Sequence, residues 1–269
     1  MMKKLITKLL KLFGHYKTRQ ISINDSTTAV VITGVETSPK WGQCSGALTD
    51  CDSFQKVVSK AADNYSITVL QNEKATVKNW KDAVEKAVQK PLAIIFYSGH
   101  GGADKNHVLG NGSNEADGID EFLCLYDKPL IDDEVWNIIS KSKGRVFLVF
   151  DCCHSGTMFR TANIDEPQNK EEFGEFNNLN FEKMLLQTRD FENTPSPSIL
   201  CWSACGDETV ARGNRFGGLF TNALKSAFGV GNTYNSIWNK LNSNNSLKRY
   251  EVIQINEVGT SFKDELFCR

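Results

Sequence analysis

The chain has 269 residues, 40% of them hydrophobic and 23% charged, enough for one large domain with its own core. Thirty-one basic against 32 acidic residues leave a net charge of -1, which excludes bulk electrostatic attraction to nucleic acid. No apolar run approaches the ~18 residues of a membrane span, and eight cysteines are too sparse and irregular for a disulfide scaffold. The thiols are read as reduced and the chain as cytoplasmic.

Residues 1–24 form a basic arm. Lys3, Lys4, Lys8, Lys11, Lys17 and Arg19 interleave with Leu5, Ile6, Leu9, Leu10, Leu12 and Phe13 at helical spacing. Such a helix either contacts a membrane surface or partner, or covers the domain. Lysines recurring within the apolar stretch and the want of a small-residue cleavage site after it argue against a signal peptide. The internal Lys263–Leu266 (KDEL) is no address, since that signal must end a chain.

Thr27–Val35 reads as a buried, β-branched strand ended by Gly34. Residues 47–62 are predicted helical, and Ser66–Leu70 is a second strand. Thr76 caps a helix with Val77, Trp80, Val84 and Val88 on one stripe. Pro91–Gly102 is a third strand entering a glycine-rich turn. A polar loop follows, then a short helix over Asp132–Ser140. Gly144–Gly156 is a fourth strand and Pro197–Asp207 a fifth. Phe220–Phe228 is helical, and Tyr250–Ile255 is the candidate sixth strand. Alternation of strand and helix implies an α/β domain with a mainly parallel sheet covered on both faces. Residues 157–196 break the rhythm, with eight acids, four bases, Pro167 and Pro195, and read as a surface linker.

Sites in parallel sheets gather at the carboxyl ends of strands. The third strand ends Ser98-Gly99-His100-Gly101-Gly102, and the fourth ends Asp151-Cys152-Cys153-His154-Ser155-Gly156. A thiol and an imidazole at neighbouring strand ends suit nucleophilic catalysis, the imidazole taking the proton and the thiolate attacking a carbonyl carbon. The glycines aim main-chain N–H groups at a developing oxyanion. Strand periodicity puts Ser98 with His100 and Asp151 with Cys153, and turns Cys152 away into the adjoining layer. That parity selects Cys153 over Cys152. Zinc is disfavoured, because contiguous ligands do not converge on a tetrahedral ion and no Cys-x-x-Cys is present. His15 and His107 are surface residues.

Tyr97–Gly101 (Tyr-Ser-Gly-His-Gly) and Asp151–Gly156 (Asp-Cys-Cys-His-Ser-Gly) resemble the two motifs of the metacaspases, caspase-like cysteine proteases. Shorter matches follow in order: Gly46–Asp50, Lys74–Thr76, Asp117–Glu121, Ile131–Glu134, Ser203–Cys205 and Gly217–Thr221, so that the resemblance covers most of 27–258. It implies a caspase-like three-layer sandwich with about six strands. One catalytic domain over 25–269 would divide into a large part (25–156), the linker (157–196) and a small part (197–269). It implies His100 as base, Cys153 as nucleophile, and the main chain of Gly101 and Cys153 as oxyanion donors. Asp50, Ser98 and Asp151 map to the primary specificity pocket. Caspases carry Gln in place of Asp151 and cleave after Asp. An anionic pocket instead favours Arg or Lys, whose charge meets carboxylates in charge-assisted hydrogen bonds.

The chemistry needs no cofactor, but the resemblance implies calcium as an activator, with Asp120, Asp132 and Asp133 matching three of four aspartates. The fourth position holds the cation Arg160, a departure from the family pattern. Asp132, Asp133 and Glu134 equally suit a helix N-terminus. Arg160, Lys170, Lys183 and Arg189 dot the linker as candidate self-cleavage points of a zymogen. The partners expected are peptide or protein substrates with a basic residue, and the chain is expected as a monomer. Two competing functions remain open: a catalytically silent module that recruits partners through its N-terminal helix, and another thiol hydrolase such as a transpeptidase.

Overall fold

The structure, a computed structural model, describes residues 26–104, 120–153, 197–204, 211–251 and 253–269. The N-terminal arm, the 157–196 linker with its four basic residues, His107 and His154 lie outside the described residues.

The strands are β1 (Thr28–Gly34), β2 (Thr37–Ser38), β3 (Gly42–Gln43), β4 (Tyr65–Gln71), β5 (Leu92–Asp104), β6 (Asp120–Cys124), β7 (Pro129–Ile131), β8 (Arg145–Cys153), β9 (Ser198–Ser203), β10 (Gly213–Asn214), β11 (Gly217–Gly218) and β12 (Gln254–Val258). The helices are α1 (Ala47–Ala61), α2 (Val77–Ala87), α3 (Asp132–Ile139), α4 (Leu219–Ala227), α5 (Tyr234–Asn242) and α6 (Asn245–Tyr250). The main sheet runs β12-β9-β8-β5-β1-β4. Its inner pairings, β4–β1–β5–β8–β9, are all parallel, and β12 joins β9 antiparallel.

Alternate residues of the central strands feed two cores. Val30, Ile32, Ile94, Phe96, Phe147, Val149 and Trp202 face one layer with α1, α4 and α5. Val31, Ile95, Leu148 and Phe150 face the other, with Trp80 and Val84 of α2 and Val135 and Ile139 of α3. The first core is built on aromatic contacts. Phe54 stacks on Phe96 at 4.4 Å, and Phe147 meets Trp202 edge-on at 4.8 Å. Burial of each such ring contributes about 1.5–3 kcal/mol. Thr76 caps α2 as expected, its hydroxyl accepting from Asn79 N at 3.2 Å.

Two expectations need correction. The sixth strand is Gln254–Val258, not Tyr250–Ile255. Tyr250 instead ends α6, whose start is fixed by the Asn244 side chain accepting from Ser246 N and Leu247 N. The stretch after Gly102 is also not simply a polar loop. β5 continues to Asp104 and pairs antiparallel with β6, which pairs with β7. A glycine-rich run reads as a turn in one dimension, yet its backbone here finds a partner strand.

Candidate active site

The site lies at the carboxyl ends of β5 and β8, on the face carrying α1 and α4. Ser98 and Asp151 are register partners across these strands, and so are His100 and Cys153. Neighbouring strands stand about 4.8 Å apart, so the backbone alone brings positions 100 and 153 together. Cys152, between Asp151 and Cys153, is buried in the opposite core beside Phe150, as strand parity requires.

His100 is 4% exposed, and its Nε2 lies 3.1 Å from the Gln43 carbonyl oxygen. A carbonyl only accepts, so Nε2 carries the proton in this bond. The carbonyl belongs to the small β2–β3 hairpin, which is tied down elsewhere. The Trp41 indole N–H donates to Leu125 O at 2.6 Å, and the Ser38 hydroxyl donates to Tyr126 O at 3.0 Å. The same corner steadies the His100 main chain: the buried Tyr97 hydroxyl lies 2.6 Å from His100 O and 3.0 Å from Cys124 O. His100 is thus held from ring and backbone through the segment 124–126.

The three residues expected in the specificity pocket come together and are wholly buried: Asp50 from α1, Ser98 from β5 and Asp151 from β8. The Ser98 hydroxyl donates to Asp50 Oδ2 at 2.7 Å, and Gly218 N donates to Asp50 Oδ1 at 2.7 Å. Thr221 donates its N–H at 3.1 Å and its hydroxyl at 2.6 Å to Asp151 Oδ2. Thr221 sits in the first turn of α4, where N–H groups lack partners within the helix. The Asp151 carboxylate fills that role from a neighbouring strand and suits the positive end of the helix dipole. These donors are neutral, so they fix the carboxylates without adding positive charge.

Glycines 217 and 218 make the arrangement possible. A Cβ on Gly218 would overlap the Asp151 carboxylate, and one on Gly217 would overlap Asp50 Oδ1. Gly217 also has φ +103°, a left-handed conformation that other residues adopt at a cost. The glycine pair gives both acids close contact with the backbone of β11 just before α4.

Gly101 follows His100 on the extension of β5, in register with Leu123. Asp120 begins β6, while Asp132 and Asp133 open α3. Asp132 is buried and its Oδ1 accepts from Asp133 N at 3.0 Å; Glu134 is ion-paired with Lys81. No group of three or more His, Cys, Asp or Glu side chains among the described residues is placed to hold a metal ion. No helix among the described residues is long and apolar enough to cross a membrane.

Sequence reasoning did not single out Gln43, Trp41 or Thr221 for a role at the site. Gln43 acts through a main-chain carbonyl, which every residue has, so no side-chain signal marks it. Thr221 stands in a matched motif, but its bond to Asp151 joins positions 70 residues apart.

The family model described as "Caspase domain" matches residues 27–266. Among solved structures, the chain is similar to the protein GSU0716 from Geobacter sulfurreducens, with 23% identity and a TM-score of 0.63 over 90% of this chain and 98% of that one. It is also similar to caspase-1 from Spodoptera frugiperda, with 11% identity and a TM-score of 0.52 over 89% of this chain and 86% of that one. No curated protein sequence matches it.

Proposed function

The chain belongs to the caspase-domain family of cysteine peptidases, and from that premise we propose that it is an endopeptidase cutting after Arg or Lys. The observation that carries the reading is the gathering of two buried carboxylates, Asp50 and Asp151, at the strand ends that bear His100 and Cys153. Within the family, the motifs and pocket acids resemble the metacaspase pattern.

In this reading the basic side chain of the substrate enters beside Asp50, Ser98 and Asp151, and Asp151 lies two residues from the nucleophile. Burial strengthens each charge-assisted hydrogen bond. An acidic side chain would meet like charge, and a neutral one would forgo the charge-assisted hydrogen bonds, so the pocket discriminates against both. The Gln43 carbonyl holds the proton on Nε2 and orients the ring, directing Nδ1 to take the Cys153 proton. The thiolate attacks the scissile carbonyl, and the oxyanion meets the N–H groups of Gly101 and Cys153. His100 then gives its proton to the leaving amine as the C–N bond breaks, which leaves a thioester. Water attacks that thioester with His100 as base, releasing the acid product and restoring the thiol.

A panel of fluorogenic peptides ending in Arg, Lys, Asp or Asn, run with and without calcium, tests the reading against a Cys153→Ala control. Turnover after Arg or Lys supports it. Turnover after Asp alone overturns the pocket assignment, and no turnover under any condition favours a silent scaffold. Calcium enters as an activator, tested by titration in the same assay. Self-cleavage at Arg160, Lys170, Lys183 or Arg189 is the further expectation. Fragments appearing in the active protein and not in Cys153→Ala support it, and identical behaviour of the two opposes it.

A further inference from the structure

Beside the pocket acids stands an apolar group that the proposed chemistry does not use. Asn214 and Gly217 are register partners, so β10 and β11 form a tight hairpin with Arg215 and Phe216 at its tip. Phe216 is 65% exposed, one of three large hydrophobic residues exposed among those described. Scattered surface apolar residues need no explanation. This one differs because its backbone is anchored and because of its place in the chain.

The tip is held at four points. Phe216 N donates to Asn214 Oδ1 at 2.8 Å, and the Asn222 side chain donates to Phe216 O at 3.1 Å. The Thr49 hydroxyl donates to Arg215 O at 3.2 Å, and the Arg215 guanidinium lies over the ring, 4.8 Å from its centroid. Thr49 immediately precedes the pocket acid Asp50. The residues after Phe216 are Gly217 and Gly218, whose backbone lies against both carboxylates. The ring therefore sits one residue from the pocket wall, on a segment anchored to the helix that supplies Asp50. The backbone that carries this ring is anchored before any ligand arrives, which lowers the entropic cost of contact.

We infer that Phe216 forms a second specificity subsite, taking an apolar side chain of the substrate within two positions of the basic residue. This rests on the reading of Asp50, Ser98 and Asp151 as the pocket for that basic residue. With the pocket filled, the flanking residues of an extended peptide cross its rim at about 3.3 Å per residue, within reach of a ring one residue from the wall. Arg215 covers a face of the ring and adds positive charge, which favours an aliphatic or aromatic neighbour over another basic one. An apolar group laid on the rest of the ring removes both surfaces from water.

The test uses peptides with Arg at the cleaved position and either Leu or Ala at each flanking position in turn. The readout is the ratio of kcat/KM for the Leu peptide to that for its Ala counterpart within one enzyme, so general losses of folded protein cancel. The full chain should show a ratio of about four to fifteen at one flanking position, the range for burying one or two methylenes. Phe216→Ala should bring it near one and Phe216→Trp should restore it, while Val230→Ala, an exposed residue elsewhere, should leave it as it was. A second measurement removes turnover: fluorescence anisotropy of the same peptides with Cys153→Ala and Cys153→Ala/Phe216→Ala should show the same preference in Kd and its loss. Equal ratios in the full chain and Phe216→Ala, with Arg peptides still cut, overturn the subsite alone. If no Arg or Lys peptide is cut or bound, the pocket reading falls and the subsite with it.

Discussion

Thr221 gives its main-chain N–H and its hydroxyl to a single oxygen of Asp151, at 3.1 and 2.6 Å. One carboxylate thereby serves two ends. It closes the first turn of α4 from outside, and it forms part of the wall of the proposed pocket. The proposed specificity and the seating of the C-terminal part of the fold share an atom.

That sharing has a measurable cost when the charge is removed. Asp151→Asn keeps an acceptor but loses the charge, and should lower stability by about 1–2 kcal/mol in urea unfolding. Turnover of Arg peptides should fall more than tenfold, chiefly through KM. Thr221→Val, which removes only the hydroxyl, should cost about 1 kcal/mol. An Asp151→Asn protein with unchanged stability would contradict the seating role.

Gly218 and Gly217 should fail for different reasons. Gly218 has φ -69°, so alanine fits its backbone, and the harm of Gly218→Ala comes from collision with Asp151. The expected result is a loss of at least tenfold in kcat/KM together with about 1–3 kcal/mol of destabilisation. Gly217→Ala adds left-handed strain to its collision with Asp50 and should be the less stable of the two by thermal unfolding.

The hairpin that holds His100 can be loosened without touching the imidazole. Trp41→Phe keeps an aromatic ring but deletes the N–H bonded to Leu125 O. It should lower kcat several-fold with little change in KM, since it acts on orientation of the base rather than on the pocket. A change confined to KM would show that the hairpin serves binding instead.

The buried thiols predict the response to alkali. Burial pushes the Cys201 and Cys268 thiols far above their ordinary 9.0, and burial aided by Asp50 and Asp52 does the same to Cys51. In the unfolded chain these thiols ionise near 9.0, whereas the folded state keeps them protonated. Above that pH the unfolded state binds fewer protons, so stability is full below about pH 9 and falls as pH rises. Each thiol adds a slope of up to about 1.4 kcal/mol per pH unit. Cys201→Ala should flatten the decline in urea unfolding between pH 9 and 10.5, and an unchanged slope would oppose this account.

Legibility from the sequence followed the strength of local signal. β1, β5 and β8 are continuous apolar runs because both their faces are covered, so they stand out in one dimension. β12 mixes polar and apolar residues without a clean alternation and is partly exposed at the sheet edge, and it starts four residues later than the strand that the sequence predicts. β6 pairs with a glycine-rich extension that carries no strand signal at all. At the site, Asp151 and Cys153 are separated by one residue and His100 follows Ser98 by two, so period-two geometry related them. The link from Asp50 to Gly218 spans 168 residues, and only folding makes it.

The pairing of β8 with β9 bears on what a protease nick would do to the particle. The two strands are separated by residues 154–197 in the chain but lie side by side, with Phe147 and Trp202 in edge-on contact across them. Arg145 on β8 is ion-paired with Glu265, and Arg269 reaches back to Asp63 at 3.2 Å. Severing the polypeptide between 153 and 198 would free no subunit: the pieces would co-migrate on a sizing column and separate only in denaturant.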